Sequence, residues 1–113
     1  MLMKVLITGG AGFIGSHIAE YYSGRAQVVV LDNLRTGHIR NLEGFKVEFV
    51  DGSILDRELL RGLMQGVDYV FHLAAMISVP ESMQKPVECV RINTEGTLNV
   101  LEAAAAAGVK KLC

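Results

Sequence analysis

The hydrophobic positions along the chain fall into short continuous runs that predict buried strands. Runs rich in β-branched and aromatic residues, with no polar alternation, are typical of strands covered on both faces. Such runs lie at residues 4–8, 27–32 and 68–73, while residues 47–50 alternate less clearly and are interpreted as a further strand, and residues 110–113 resemble the start of a fifth strand that is cut short. The polar, turn-rich stretch at residues 33–44 predicts a loop, and a second loop is expected at residues 74–85.

Apolar residues at helical spacing predict helices between these strands. One helix carries Ile14 and Ile18 and ends near Gly24, and a second begins at a capping Asp56 and ends at Gly66. A long third helix runs from Pro86, which suits the first helical position, to Gly108. We expect its sheet-covering face to be the stripe Val87, Val90, Thr94, Leu98, Leu101 and Ala105.

Strands that alternate with helices predict a parallel sheet with helices on both faces. The expected fold is therefore α/β, a Rossmann-type doubly wound parallel sheet, with residues 1–113 forming one nucleotide-binding domain. We expect the sheet to be truncated at its fifth strand, which would leave an unpaired sheet edge and low stability.

Composition narrows the class of protein. Half of the residues are apolar, one fifth are charged and the net charge is −1, which favours a globular domain over a disordered or fibrous chain. This balance provides no field for nucleic acid or anionic membranes, and no apolar run reaches membrane-spanning length. The two cysteines, Cys89 and Cys113, lack metal-binding spacing, so we expect no metal and a reducing, cytoplasmic location.

The strongest chemical signal is the glycine-rich turn Thr8-Gly9-Gly10-Ala11-Gly12-Phe13-Ile14-Gly15, which follows a strand and opens a helix. It fits two spacings, GxGxxG from Gly10 or GxxGxxG through Gly9, Gly12 and Gly15. Either spacing lets the backbone approach a pyrophosphate, which the free N–H groups near Phe13 and Ile14 would bind. The alternative is a tight strand–helix turn that binds nothing.

Asp32 ends the second strand, roughly 20 residues after the turn, where a carboxylate accepts hydrogen bonds from the adenosine ribose. Such a carboxylate repels a 2′-phosphate, which favours NAD over NADP as the cofactor. Arg35 lies nearby and would weaken that preference if it turned toward the ribose, and Asn33 is a further candidate ribose contact. The alternative is that Asp32 is a solvated residue at the end of a strand.

The segments TGGAGFIGSHI, DNLRTG, FHLAA and NTEGTLNVLEAA together resemble the extended short-chain dehydrogenases/reductases, in particular nucleotide-sugar epimerases of the UDP-glucose 4-epimerase type. The resemblance implies pyrophosphate, ribose and adenine contacts, contacts under the nicotinamide half, and an asparagine that supports the active site. In that order, the matching residues are Gly9, Gly12, Phe13, Ile14 and Gly15; Asp32 and Asn33; Ser53 and Ile54; Leu73, Ala74 and Ala75; and Asn93.

Two positions depart from the pattern of that family. Ser53 stands where the family usually has an adenine-binding aspartate, and it alternatively forms a capping box with Asp56. Ile77 stands where some of these epimerases place a lysine near the cofactor. Loss of that lysine contact would weaken cofactor binding.

The resemblance implies a catalytic Ser or Thr and a Tyr-x-x-x-Lys, and the tyrosine requirement is not met here. Tyr21, Tyr22 and Tyr69 have no lysine four positions later, and His17, His38 and His72 do not form an acid–base set. We therefore expect no catalytic residue within this chain.

These observations predict the NAD-binding part of a nucleotide-sugar 4-epimerase, incomplete on its own. The full enzyme would take a nucleotide-sugar substrate and form a homodimer through the outer face of the long helix. The alternatives are the front half of a nucleotide-sugar 4,6-dehydratase and a non-catalytic NAD(H)-binding module.

Overall fold

The computed structural model describes residues 3–76 and 79–113, in which five parallel strands form one sheet. In chain order the strands are β1 (Lys4–Thr8), β2 (Gln27–Asp32), β3 (Glu48–Asp51), β4 (Tyr69–His72) and β5 (Lys111–Leu112). Their order across the sheet is β3-β2-β1-β4-β5. The predicted Rossmann-type parallel sheet is confirmed, with β3 displaced by one residue and β4 and β5 shorter than expected.

Helices connect the strands. They are α1 (Phe13–Tyr22), α2 (Arg57–Leu63), α3 (Val79–Gln84), α4 (Pro86–Val90) and α5 (Thr97–Ala107), with a π-helical segment, Arg91–Gly96, between α4 and α5. Asp56 caps α2 by accepting a hydrogen bond from Leu59 N at 3.1 Å, and Gly108 ends α5 with a φ of 75°. The three predicted helices are present, and the π-helical segment within the long one was not predicted.

The two segments predicted to be loops each contain a short helix, so these predictions are partly wrong. A 3-10 helix, Ile39–Leu42, lies within residues 33–44, and α3 lies within residues 74–85. Helices of one or two turns are too short to show a hydrophobic period, and their stability comes from tertiary contacts rather than from propensity. The hydrophobic pattern therefore did not predict either of these short helices.

Two apolar clusters lie on opposite faces of the sheet. Alternate residues of β1 and β2 point to opposite faces. Leu6 and Val29 join the cluster that includes residues of α2 and α5, whereas Ile7 and Val30 join the cluster that includes Ala19 of α1. Because both faces of these strands are covered, almost every position in them is apolar, which explains the continuous hydrophobic runs.

The long helix presents to the sheet a face other than the predicted one. Val87, Val90, Leu98 and Leu101, called the outer stripe below, are between 47% and 73% exposed, and Thr94 and Ala105 are exposed as well. The buried residues are instead Gly96, Asn99, Val100 and Ala104.

Close packing explains why the hydrophobic pattern misassigned this face. A Cβ at Gly96 would collide with the Ile54 side chain, so glycine at this position lets the helix lie close to Ile54. The inner face thus carries little hydrophobic signal, while the larger apolar residues lie outside. None of the helices in the described part of the chain is both long and apolar enough to cross a membrane.

Candidate functional site

A cavity opens at the edge of the sheet where the carboxyl ends of β1, β2, β3 and β4 meet. It is lined by Gly9, Leu31, Asp32, Asn33, Arg35, Gly52, Ser53, Ile54, Leu73, Ala74, Ala75, Met76, Glu88 and Ile92. In open α/β sheets, ligands bind outside the carboxyl ends of the strands at the point where the strand order reverses. Here the order reverses between β1 and β4, and the cavity lies across that point.

Most of the residues predicted from the sequence come together in this cavity. Those that line it are Gly9, Asp32, Asn33, Ser53, Ile54, Leu73, Ala74 and Ala75. Gly12, Phe13, Ile14 and Gly15 belong to the adjoining turn and the start of α1, and Asn93 lies in the π-helical segment. The remaining position discussed above, Ile77, lies outside the described residues.

The glycine turn brings three backbone segments into close contact. Gly9 has a φ of 71°, and a Cβ on it would lie 2.8 Å from the backbone nitrogen of Ala74. A Cβ on Gly15 would collide with the carbonyl oxygen of Gly9. Gly10 packs instead against the side chain of Val30. Glycines at positions 9 and 15 therefore allow the end of β1 to lie directly against both α1 and the end of β4.

The start of α1 offers unpaired backbone donors beside this turn. Gly12 is the N-cap residue, so no side chain caps the helix, and the first turn contains no acidic residue. The first N–H groups of a helix lack acceptors within it and favour an anion. The side chains of Phe13 and Ile14 are 70% and 66% exposed and line a separate groove. Only the backbone amides of these two residues are therefore candidates for binding an anion.

Asp32 is fixed between the glycine turn and the loop that follows β2. One carboxylate oxygen, Oδ2, accepts a hydrogen bond from Ala11 N at 3.0 Å, and the other, Oδ1, accepts one from Leu34 N at 2.8 Å. Leu34 adopts a left-handed conformation, with a φ of 60°, in the turn that allows this contact. Each carboxylate oxygen has a second acceptor site, so Asp32 remains able to bind hydroxyl groups in the cavity.

Ser53 forms a turn rather than the capping box considered above. Its hydroxyl oxygen accepts a hydrogen bond from Leu55 N at 3.0 Å, while Asp56 alone supplies the side-chain cap of α2. Ile54 is buried next to Gly96, and its carbonyl oxygen accepts a hydrogen bond from the side chain of Asn99 at 3.2 Å. These contacts fix the wall of the cavity that follows β3.

The segment after β4 is held to the long helix by the side-chain amide of Asn93. Asn93 Nδ2 donates to the carbonyl oxygen of Met76 at 2.9 Å, and Met76 N donates to Asn93 Oδ1 at 2.8 Å. The π-helical segment places Asn93 opposite this backbone. Asn93 therefore acts on the cavity indirectly, by positioning the segment that contains Ala74 and Ala75.

His72 links β1, β4 and α5 through its two ring nitrogens. Thr8 Oγ1 lies 2.7 Å from His72 Nδ1 and accepts a hydrogen bond from Ala74 N, so we assign its proton to the bond with the ring. His72 Nε2 then donates to Thr97 Oγ1 at 2.9 Å, and Thr97 donates to the carbonyl oxygen of Asn93. Burial lowers the pKa of His72, which favours this neutral form. These partners support the expected structural role of His72.

Arg35 lines the cavity and forms ion pairs with the helices that follow β4. Its guanidinium binds Glu81 of α3 at 3.0 Å and Glu88 of α4 at 2.5 Å. Hydrogen bonds to Glu81 and then to Glu88 raise the pKa of Arg35 above its usual value. The sequence placed Arg35 near the ribose but did not show that two carboxylates hold it.

The side chains of His17 and His38 do not line the cavity, whereas Cys89 Sγ lies 3.4 Å from Asn93 Nδ2 and 3.8 Å from the carbonyl oxygen of Met76. His17 Nδ1 lies 2.7 Å from the carbonyl oxygen of Phe13, and His38 is exposed. Cys89 and Cys113 are free cysteines. Among residues 3–76 and 79–113, no group of three His, Cys, Asp or Glu side chains is arranged to hold a metal ion.

Residues 5–113 match the sequence profile of the NAD dependent epimerase/dehydratase family. The chain is 41% identical over 107 residues to a UDP-N-acetyl-alpha-D-glucosaminuronate decarboxylase of Bacillus cytotoxicus, covering 92% of this chain and 33% of that protein. It is 42% identical over 120 aligned positions to a UDP-glucose 4-epimerase of Yersinia enterocolitica, covering 97% and 35%.

A solved structure agrees with this similarity. UDP-glucose 4-epimerase of Thermus thermophilus in complex with NAD superposes with a TM-score of 0.85 at 43% identity, covering 97% of this chain and 36% of that one. The chain thus spans about a third of the length of the relatives it matches.

Proposed function

This chain belongs to the NAD-dependent epimerase/dehydratase family, and from that premise we propose that its cavity binds NAD for a nucleotide-sugar 4-epimerase. The observation that carries the proposal is the placement of Gly9 and Asp32 in one cavity at the point where the strand order reverses. An uncapped helix start, a close-packed glycine turn and a carboxylate at the end of β2 fit the diphosphate and ribose of a dinucleotide.

Each part of the site has a role in this proposal. The backbone amides of Phe13 and Ile14 bind the pyrophosphate, with Gly12 and Gly15 shaping the turn. Asp32 and Asn33 accept hydrogen bonds from the adenosine ribose, and Ser53 and Ile54 lie beside adenine. The segment Leu73, Ala74 and Ala75 lies under the nicotinamide half, and Asn93 holds that segment in place.

The bound cofactor supplies a hydride acceptor, and the residues of this chain bind and orient it. No tyrosine of this sequence has a lysine four positions later, so we propose that the proton-transfer residues of the enzyme lie outside these 113 residues. The substrate we propose is a UDP-sugar, because the relatives described above are named for UDP-sugar reactions.

We propose 4-epimerisation as the reaction because one of those relatives is a UDP-glucose 4-epimerase. Decarboxylation is a second candidate, supported by the 41% identity to the decarboxylase. Assay of a longer protein that contains this chain separates the reactions. Conversion of UDP-glucose to UDP-galactose supports the epimerase. Formation of a 4-keto-6-deoxy sugar indicates a dehydratase, and release of CO2 from a UDP-uronate indicates a decarboxylase.

Two further features belong to the same proposal. We propose a homodimer formed through the outer stripe, whose apolar side chains are exposed on the long helix. We propose a cytoplasmic location, since both cysteines are free and a reducing compartment would keep them so.

Replacing Asp32 tests the cofactor site directly. Asp32→Asn removes the charge that accepts the ribose hydrogen bonds, and hydrogen bonds to charged groups contribute about 1.5–3 kcal/mol. We therefore expect the Kd for NAD, measured by isothermal titration calorimetry, to rise about tenfold to a hundredfold. The urea midpoint of the variant shows whether the fold is retained.

Asp51 provides the matched control for this variant. It ends β3 directly opposite Asp32 in the register of the sheet, but it is exposed and does not line the cavity. Asp51→Asn should leave the Kd for NAD unchanged. An equal loss of affinity in both variants, or no NAD binding by the unmodified chain, would refute the proposed site.

A further inference from the structure

We infer that Glu81 and Glu88 set the cofactor specificity of the site by holding Arg35, which excludes cofactors with a 2′-phosphate. The inference rests on the proposed NAD site and adds two residues that lie on a different part of the chain from the ribose-binding strand. Arg35 is the cation nearest in sequence to Asp32, the proposed ribose carboxylate.

All three nitrogens of the Arg35 guanidinium are bound to carboxylates. Nε and Nη2 lie 3.1 Å and 3.0 Å from Glu81 Oε1, and Nη1 lies 2.5 Å from Glu88 Oε1. A planar guanidinium binds a phosphate through two parallel N–H groups. Nε, Nη1 and Nη2 each have a carboxylate partner, so a 2′-phosphate would have to compete with Glu81 and Glu88 for the N–H groups of Arg35.

The position of this cluster connects it to the cofactor. Arg35 and Glu88 line the same cavity as Asp32 and Asn33. A nearby arginine is the usual means by which a dinucleotide site of this type accepts a 2′-phosphate. Arg35 has the location to bind a 2′-phosphate, but Glu81 and Glu88 already bind its guanidinium.

The charge balance acts in the same direction. One positive charge on Arg35 is combined with negative charges on Glu81, Glu88 and Asp32, which leaves this end of the cavity with an excess of two negative charges. A 2′-phosphate adds further negative charge and would be repelled, whereas the uncharged ribose hydroxyls of NAD would not.

The other arginine–glutamate pairs of the described structure differ from this one. Arg57–Glu102 and Arg91–Glu95 each join one arginine to one carboxylate, with arginine side chains 69% and 59% exposed, and neither pair lines the cavity. The Arg35 side chain is 31% exposed and is held by two separate helices. Among these three arginines, only Arg35 is bound by two carboxylates and lines the cavity.

The test is a double variant, Glu81→Gln/Glu88→Gln, which keeps the shape of both side chains and removes their charges. We expect the affinity of the 113-residue chain for NADP, measured by calorimetry, to rise about tenfold, because Arg35 becomes free to bind the 2′-phosphate. The affinity for NAD should change less than twofold. Glu102→Gln, which removes the carboxylate of an exposed pair away from the cavity, is the matched control and should change neither value.

Adding Arg35→Ala to the double variant distinguishes release of the arginine from loss of charge repulsion. The inference requires the gain in NADP affinity to disappear in this triple variant. It is overturned if the gain persists, or if the double variant has the same NADP-to-NAD ratio as Glu102→Gln. In both of those outcomes NAD still binds, so the proposed cofactor site stands. Loss of NAD binding in every protein, including the unmodified chain, would overturn both.

Discussion

At the scale of single residues, the neutral form of His72 holds one wall of the cavity in place. Its Nδ1 accepts from Thr8 and its Nε2 donates to Thr97, so the ring connects the sheet to the long helix. A protonated ring donates from both nitrogens and loses the bond from Thr8. The hydroxyl of Thr8 also accepts from Ala74 N, so this loss reaches the backbone beside the cavity.

This arrangement predicts that the chain loses stability in mild acid. Burial lowers the pKa of His72 in the folded state below the value of about 6.5 expected when unfolded. The unfolded chain then binds more protons in that range, so stability is complete above about pH 6.5 and falls as the pH drops toward the folded pKa. The urea midpoint at pH 7.5 and at pH 5.5 measures the effect.

A pair of histidine variants assigns that pH dependence. His72→Asn should reduce the difference between the two midpoints, because the titrating group is gone. His17→Asn removes a histidine whose Nδ1 lies near the carbonyl oxygen of Phe13 at an exposed site and should leave the difference intact. The same pH dependence in His72→Asn as in the unmodified chain would contradict this assignment.

At the scale of elements, the face of the long helix that packs on the sheet is not the face that carries its largest apolar residues. The face against the sheet carries small or medium residues such as Gly96, Val100 and Ala104, and the outer stripe carries the larger ones. Close approach to Ile54 requires the small residue at position 96. The helix therefore lies near the sheet because its inner residues are small, not because they are the most hydrophobic.

Two adjacent residues test this account of the helix. Val100 is fully buried and Leu101 is 47% exposed, although the hydrophobic pattern alone favours Leu101 as the inner residue. Val100→Ala should lower the free energy of unfolding by about 2 kcal/mol, through lost transfer energy and the cavity left behind. Leu101→Ala should change it by less than about 0.5 kcal/mol, since exposed substitutions have small effects. Urea denaturation measures both, and a reversed order would show that the helix packs through the other face.

At the scale of the whole molecule, residues 3–76 and 79–113 include at least two exposed apolar surfaces. One is the outer stripe, and the other is a groove formed by α1 and β4, in which Phe13, Ile14, Tyr21, Tyr22 and Phe71 take part. Contiguous apolar surface of this kind marks sites of association. We therefore expect the 113-residue chain to have low stability and to self-associate.

Charge placed on each surface identifies which one associates. Leu98→Glu/Leu101→Glu puts two charges on the outer stripe and should shift the chain to a monomer in sedimentation equilibrium, because buried unpaired charges are strongly disfavoured. Tyr21→Glu alters the groove instead, at a residue 56% exposed, and should leave the association constant unchanged. Dissociation by Tyr21→Glu alone would assign the contact to the groove and refute the proposed dimer surface.

Features encoded within one contiguous segment were predictable from the sequence. The strand, the glycine turn and the start of α1 form a continuous unit, and Asp32 follows at the end of the next strand, so local patterns located all of them. The parallel sheet followed from the alternation of elements. The individual ligand roles of these residues are still predictions, which the variants of Asp32 are designed to test.

Features that depend on contacts between distant segments were decided only by the tertiary structure. Glu81 and Glu88 meet Arg35 across 46 and 53 positions of sequence, and no local pattern relates them. Which face of the long helix lies against the sheet likewise depends on its close approach to Ile54. The hydrophobic pattern of the sequence contains no information on that distance. The physical reason is that local patterns reflect backbone conformation and average burial, whereas ion pairs and close contacts arise only once the sheet brings separate segments together.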